Sequence, residues 1–237
     1  MNAPGTSRAA ACRTGSWASL CVLLAALFSG PGAMLLVQAT HPQPTWTNAR
    51  SFCEHVHPVQ TAPYFLGLFL IGGSVVLLSS LHALALGTHK PRTSSALVFS
   101  GVAGALVFQN YVLQTTFVPA LARLCSPSDQ PLISAFSMAN PSSLAWALEM
   151  WGYGFLGVAT WLAAPVFTRP GLERATARLF VANGVVSVIG ALWTSARAGW
   201  VMQPAGLVMF ALWNLLFVVM LGLAFVALRR GARAPQS

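Results

Sequence analysis

The sequence predicts an all-α, polytopic membrane bundle of six transmembrane helices with both termini in the cytoplasm. Three observations carry that reading. Charged residues make up only 7% of the chain, against about 25% in a soluble domain, and mean hydropathy is +0.67. Apolar stretches near 17–38, 64–87, 95–121, 143–167, 177–199 and 205–228 each reach or exceed the roughly 20 residues that a span requires. The basic residues then sort by side. Arg8 and Arg13, Lys90 and Arg92, Arg169, Arg174 and Arg178, and Arg229, Arg230 and Arg233 fall at the N-terminus, alternate connections and C-terminus, leaving Arg50, Arg123 and Arg197 opposite. The positive-inside rule places the richer set in the cytoplasm. A net charge of +9 is therefore a topology signal. The partner it implies is the lipid bilayer and not nucleic acid. The dominance of Arg over Lys hints at a GC-rich bacterial genome, so a bacterial inner membrane is the expected location.

Residues 1–16 are small, polar and basic, and read as a disordered cytoplasmic tail ahead of one membrane domain over 17–228, with a second short tail at 229–237. The first span is interrupted by Gly30-Pro31-Gly32, which predicts a kink. Its Arg8, Arg13, the run 20–28 and Val37-Gln38-Ala39 also fit a signal peptide cleaved after Ala39. The segment is long for a signal peptide, which favours a retained helix. The following outside loop contains Cys53-Glu54-His55-Val56-His57. His55 and His57 share a face only on a strand, and no second ligand group accompanies them, so no metal site is expected. Cys53 and Cys125 are the two cysteines assigned to the oxidising side, which makes a Cys53–Cys125 disulfide the expected brace.

The second span is rich in Gly and Ser, as close helix packing in lipid requires. His82 lies near its cytoplasmic end and has no intramembrane His partner for a haem. The third span turns polar in its outer half, where Asn110 and Gln114 share a face at i,i+4. Asn140 and Pro141 suit the start of the fourth. There Ser142, Trp146, Glu149, Tyr153, Leu156 and Thr160 form one face, and Glu149 is the only acidic residue in any span. A carboxylate at bilayer depth is expensive and should face the protein interior with a partner or a role. In the fifth span Asn183, Ser187, Gly190, Thr194 and Arg197 make a second small or polar face, and the sixth carries Asn214.

At a rise of 1.5 Å per residue, Glu149 lies about 9 Å, Gln114 about 11 Å, Asn214 about 13 Å and Asn110 about 17 Å inside the outer boundary. Glu149, Tyr153, Arg197, Gln114, Asn110, Asn214 and Thr194 are therefore the candidate ligand-binding residues of one outward-facing polar pocket. Three function classes compete for it. The first is binding or transport of a small or lipid-like, amphiphilic ligand. The second is a structural or accessory subunit in which Glu149 and Arg197 form an ion pair. An integral-membrane enzyme comes third. Its prior is weakened by a single intramembrane carboxylate and the lack of a nucleophile–base motif. No catalytic residue and no cofactor is assigned.

Overall fold

The computed structural model describes residues 4–233, and every regular element among them is helical. Six long helices build the molecule: α1 (Pro4–Leu27), α2 (Ala62–Leu84), α3 (Lys90–Val112), α4 (Leu144–Ala163), α5 (Leu172–Ala196) and α6 (Pro204–Arg233). Each packs on its neighbours in the chain, and α6 closes back onto α1. The result is a six-membered ring of helices in sequence order. The connections 85–89, 164–171 and 197–203 are short, as antiparallel neighbours require, whereas 28–61 and 113–143 are long and carry the helical extensions and the cap.

Small residues set the spacing of the ring. A Cβ on Gly157 would stand 2.5 Å from the Cβ of Ser187, and one on Gly184 would stand 2.7 Å from the Cβ of Trp161. The backbones of α4 and α5 approach this closely because nothing larger intervenes, which is how helices associate where apolar burial supplies no drive. The end of the ring near the chain termini is filled by Leu81, Phe180, Met220 and Leu221, with Phe167 edge-on to Phe180 at 5.2 Å. Polar glue at this end includes Asn183 Nδ2 donating to Thr160 Oγ1 (3.1 Å) and His82 Nδ1 paired with Thr93 Oγ1 (2.9 Å).

The opposite end carries a cap. α3 continues through a π-turn at Leu113–Phe117 into Val118–Leu124, and the short helices Ala49–His55 and Gln130–Phe136 pack on it. Ala49, Phe52, Val118, Ala122 and Ile133 form its own small core. Cys53 and Cys125 stand at disulfide distance there, with Cα atoms 6.2 Å apart. The remaining residues of the Cys-Glu-His-Val-His stretch have local partners. Glu54 pairs with Arg50 at 3.6 Å, His55 Nδ1 donates to the Ser51 carbonyl, and His57 accepts from the Val59 N–H while stacking on His41.

Five helical stretches are long and apolar enough to cross a membrane: Ser7–Thr40, Pro58–Leu84, Gly87–Leu124, Leu172–Ala196 and Pro204–Arg233. Helix α4, expected as a sixth span, is 20 residues long but is not among them. Glu149, Tyr153, Thr160 and Trp146, Trp151 and Trp161 dilute its apolar character.

The ends differ from expectation. Residues 4–16 are helical where a disordered tail was expected, and Cys12, Gly15 and Ser16 are buried. Ala9-Ala10-Ala11 supplies strong helix formers, and the turn that follows finds α6 to pack on. Residues 1–3 of that tail lie outside the described residues. Helix α6 likewise runs to Arg233, into the expected tail. The interruption at Gly30-Pro31-Gly32 is a π-turn at Phe28–Gly32, after which helix resumes to Thr40.

Candidate functional site

A cavity of about 520 Å³ occupies the ring beneath the cap, and all six long helices or their immediate extensions line it. Its walls are mostly apolar: Leu70, Met150, Ile189, Val201, Met209 and Phe210 are among them. Apolar walls with a few convergent polar groups are the usual constitution of a small-molecule site, and the volume falls within the range of about 300–1,000 Å³ for such sites.

Glu149 is the acidic group in that wall. It projects from the second turn of α4 and is half-buried. Its two oxygens are taken separately by α3: Asn110 Nδ2 donates to Oε2 at 3.0 Å and Tyr111 OH donates to Oε1 at 2.8 Å. Because the Tyr111 proton is committed to the carboxylate, its oxygen accepts from Tyr153 OH, 3.1 Å away. Asn110 is fully buried and fully used: its oxygen accepts from Gln114 Nε2 and its amide also reaches Met138 Sδ at 3.3 Å. The carboxylate therefore has two neutral donors and no cation.

That corrects one expectation. Among the described residues the ion pairs are Arg50–Glu54 and Arg169–Glu173, so Glu149 and Arg197 do not form one. Arg197 lines the cavity but is exposed at its mouth. Helix α5 ends at Ala196, and the backbone at Arg197 is already extended (φ −148°, ψ 92°), which takes it off the α5 face where helical periodicity had placed it.

The other predicted residues divide. Tyr153 and Asn214 line the cavity, and Asn214 Nδ2 is spent on the Phe210 carbonyl of its own helix. Gln114 sits behind the wall, donating to the Phe136 carbonyl (2.7 Å) and accepting from the Met138 N–H (3.0 Å), so it fixes the turn into α4. Thr194 accepts from Trp200 Nε1 at 2.8 Å and holds that ring at the rim.

Sequence reasoning named Tyr153 but missed the rest of the aromatic lining. All three tyrosines of the chain, Tyr64, Tyr111 and Tyr153, line the cavity. Trp146 is anchored to the Met138 carbonyl and Trp213 to Ser187 Oγ, with Tyr153 edge-on to Trp213 at 5.2 Å. The seat of Tyr111 is made by Gly67, where any Cβ would overlap the ring. A usable signal existed: the few tyrosines occupy the outer halves of three different spans. Chemically, this is an apolar chamber with aromatic faces and one carboxylate whose charge no basic side chain offsets. Such an arrangement can receive an apolar body bearing a cationic group. Compared with family models, with curated proteins and with solved structures, the chain matches none.

Proposed function

We propose that this chain is a six-span protein of a bacterial inner membrane, with both termini cytoplasmic, that binds or transports a small amphiphilic ligand in the cavity around Glu149. Counting α4 as the sixth span is supported by its place in the ring between α3 and α5. Its Glu149 and Tyr153 face Asn110, Tyr111 and the cavity, and its Thr160 pairs with Asn183 of α5. With both termini at the cytoplasmic surface, the cap and the cavity mouth lie outside. The observation that carries the function is an uncompensated carboxylate in the wall of a chamber lined by all six helices. A ligand with an apolar body and a cationic head would satisfy both halves of it, the head on Glu149 and the tyrosine faces, the body against Met150, Ile189 and Phe210.

A photoreactive alkyltrimethylammonium bearing a diazirine tests the location. On illumination in membranes, labelled peptides should come from α4, α5 and α6 around Glu149, Met150, Ile189 and Trp213, and excess unlabelled alkyltrimethylammonium should suppress them. Labelling confined to lipid-facing residues such as Leu35, Val98 and Leu215 would remove the binding reading.

A second reading has its own support. Glu149 joins α4 to α3 through Asn110 and Tyr111, as interhelical glue does in an accessory subunit. On that reading the cavity takes up no probe, and the chain copurifies with a membrane partner.

A further inference from the structure

Away from the cavity, at the end of the ring where α1 begins and α6 ends, these two helices enclose a notch of about 210 Å³ lined by Arg13, Ser16, Trp17, Arg229, Ala232 and Arg233. The lining follows from helical periodicity. Arg13, Ser16 and Trp17 stand at i, i+3 and i+4 on α1, and Arg229, Ala232 and Arg233 repeat that spacing on α6, so each trio is one face. The two helices come close here because glycines stand at the contact. A Cβ on Gly15 would meet Leu228 Cδ1 at 3.1 Å, and one on Gly231 would meet Cys12 Sγ at 3.2 Å. Close packing thus forces three guanidiniums to share one opening.

Among the described residues no acidic side chain pairs with them. The chain has four acidic residues. Glu54 and Asp129 belong to the cap and Glu149 to the cavity. Glu173, the acid at this end, is engaged by Arg169 Nε at 3.9 Å and by the N–H groups of Thr168 and Arg169. None of Arg13, Arg229 and Arg233 is in an ion pair among the described residues. Arg229 lies over the Phe225 ring at 5.5 Å, which orients it without neutralising it.

We infer that this notch is a binding site for the phosphate of an anionic phospholipid headgroup. Two features select a lipid over a free anion. Trp17 is 62% exposed at the rim, the position an interfacial tryptophan takes at headgroup depth. Beyond it, Leu24 and Leu27 of α1 and Phe28 at the start of the π-turn present an exposed apolar track along which acyl chains would lie. Guanidiniums recognise phosphate oxygens in bidentate fashion, and basic pockets between spans on the cytoplasmic side are the usual place for such headgroups. This site rests on the membrane reading of the chain and is independent of what the cavity binds.

The test uses the full chain in a non-ionic detergent, titrated with phosphatidylglycerol, phosphatidylcholine or inorganic phosphate and read by native mass spectrometry and thermal unfolding. Wild type should retain phosphatidylglycerol in preference to phosphatidylcholine. The triple variant Arg13→Gln, Arg229→Gln, Arg233→Gln should lose at least about tenfold in that affinity. Lys at the same three positions, keeping charge but not the planar fork, should lose less. A control triple that removes equal charge from the same side, Arg92→Gln, Arg174→Gln, Arg178→Gln, should bind like wild type. The inference is overturned if the control loses as much as the notch variant, if phosphatidylcholine binds equally, or if inorganic phosphate alone reproduces the effect.

Discussion

Glu149 is held by Asn110 and Tyr111 and by no cation, and its energetics follow from that pair of neutral donors. Tyr111→Phe removes a hydrogen bond to a charged group and should lower stability by about 1.5–3 kcal/mol, measured by thermal or denaturant unfolding in detergent. Arg197→Gln touches no partner and should stay within about 0.5 kcal/mol of wild type. In a double-mutant cycle, Glu149→Gln and Arg197→Gln should be additive within about 0.5 kcal/mol; a coupling of 1 kcal/mol or more would restore the ion pair. The carboxylate itself was legible in the sequence, because a lone Glu in an apolar helix must face inwards. Its partners were legible only in part. Asn110 and Gln114 share a helical face, and following that face passes over Tyr111, one residue along. Charge complementarity and depth suggested Arg197, but a helix end is a poor place to extrapolate periodicity, and α5 stops one residue short of it.

At the level of elements, the site depends on how α2 and the cap hold α3 and α4. Gly67 on α2 leaves room for the Tyr111 ring. Gly67→Ala should cost about 1–3 kcal/mol by overpacking and should also weaken ligand binding, since Tyr111 must leave Glu149 to relieve the overlap. A stability loss with unchanged binding would show that the ring relaxes without moving its hydroxyl. In the cap Cys53 and Cys125, 72 residues apart, stand at disulfide distance, and we propose that they are bridged. Opening that loop by Cys53→Ser should cost about 4 kcal/mol in the chain-entropy model, read as a lower unfolding midpoint under non-reducing conditions. Compartment logic alone singled out these two cysteines, and the fold brings them to disulfide distance. The helical character of residues 4–16 was missed: Ala9-Ala10-Ala11 gave a local signal, but the packing that secures it is against α6, more than two hundred residues away in sequence.

For the whole molecule, ring closure is what converts scattered polar residues into one chamber. Sequence gave depth along each helix but not azimuth, so it could align Glu149, Tyr153 and Asn214 by height without showing that α6 returns to α1. The ring brings the start of α1 and the end of α6 together at one surface, and the topology proposed above from the positive-inside distribution assigns that surface to the cytoplasm. In a background with Cys12 and Cys21 replaced by Ser, Ser128→Cys should react with an impermeant maleimide in intact cells, whereas Thr88→Cys should react only after permeabilisation. The reverse pattern would invert the topology and place the cavity mouth inside.

Whether the carboxylate of Glu149 receives a cationic amphiphile is decided by comparing tetraphenylphosphonium with its near-isosteric anion tetraphenylborate. Equilibrium binding of each should be measured on wild type and Glu149→Gln in nanodiscs of zwitterionic lipid. Wild type should prefer the cation, and Glu149→Gln should weaken cation binding by about tenfold or more while leaving the fold intact. Equal binding of both ions, unchanged by Glu149→Gln, would leave a hydrophobic chamber and contradict the role given to the carboxylate. Binding of neither would contradict the ligand site as a whole.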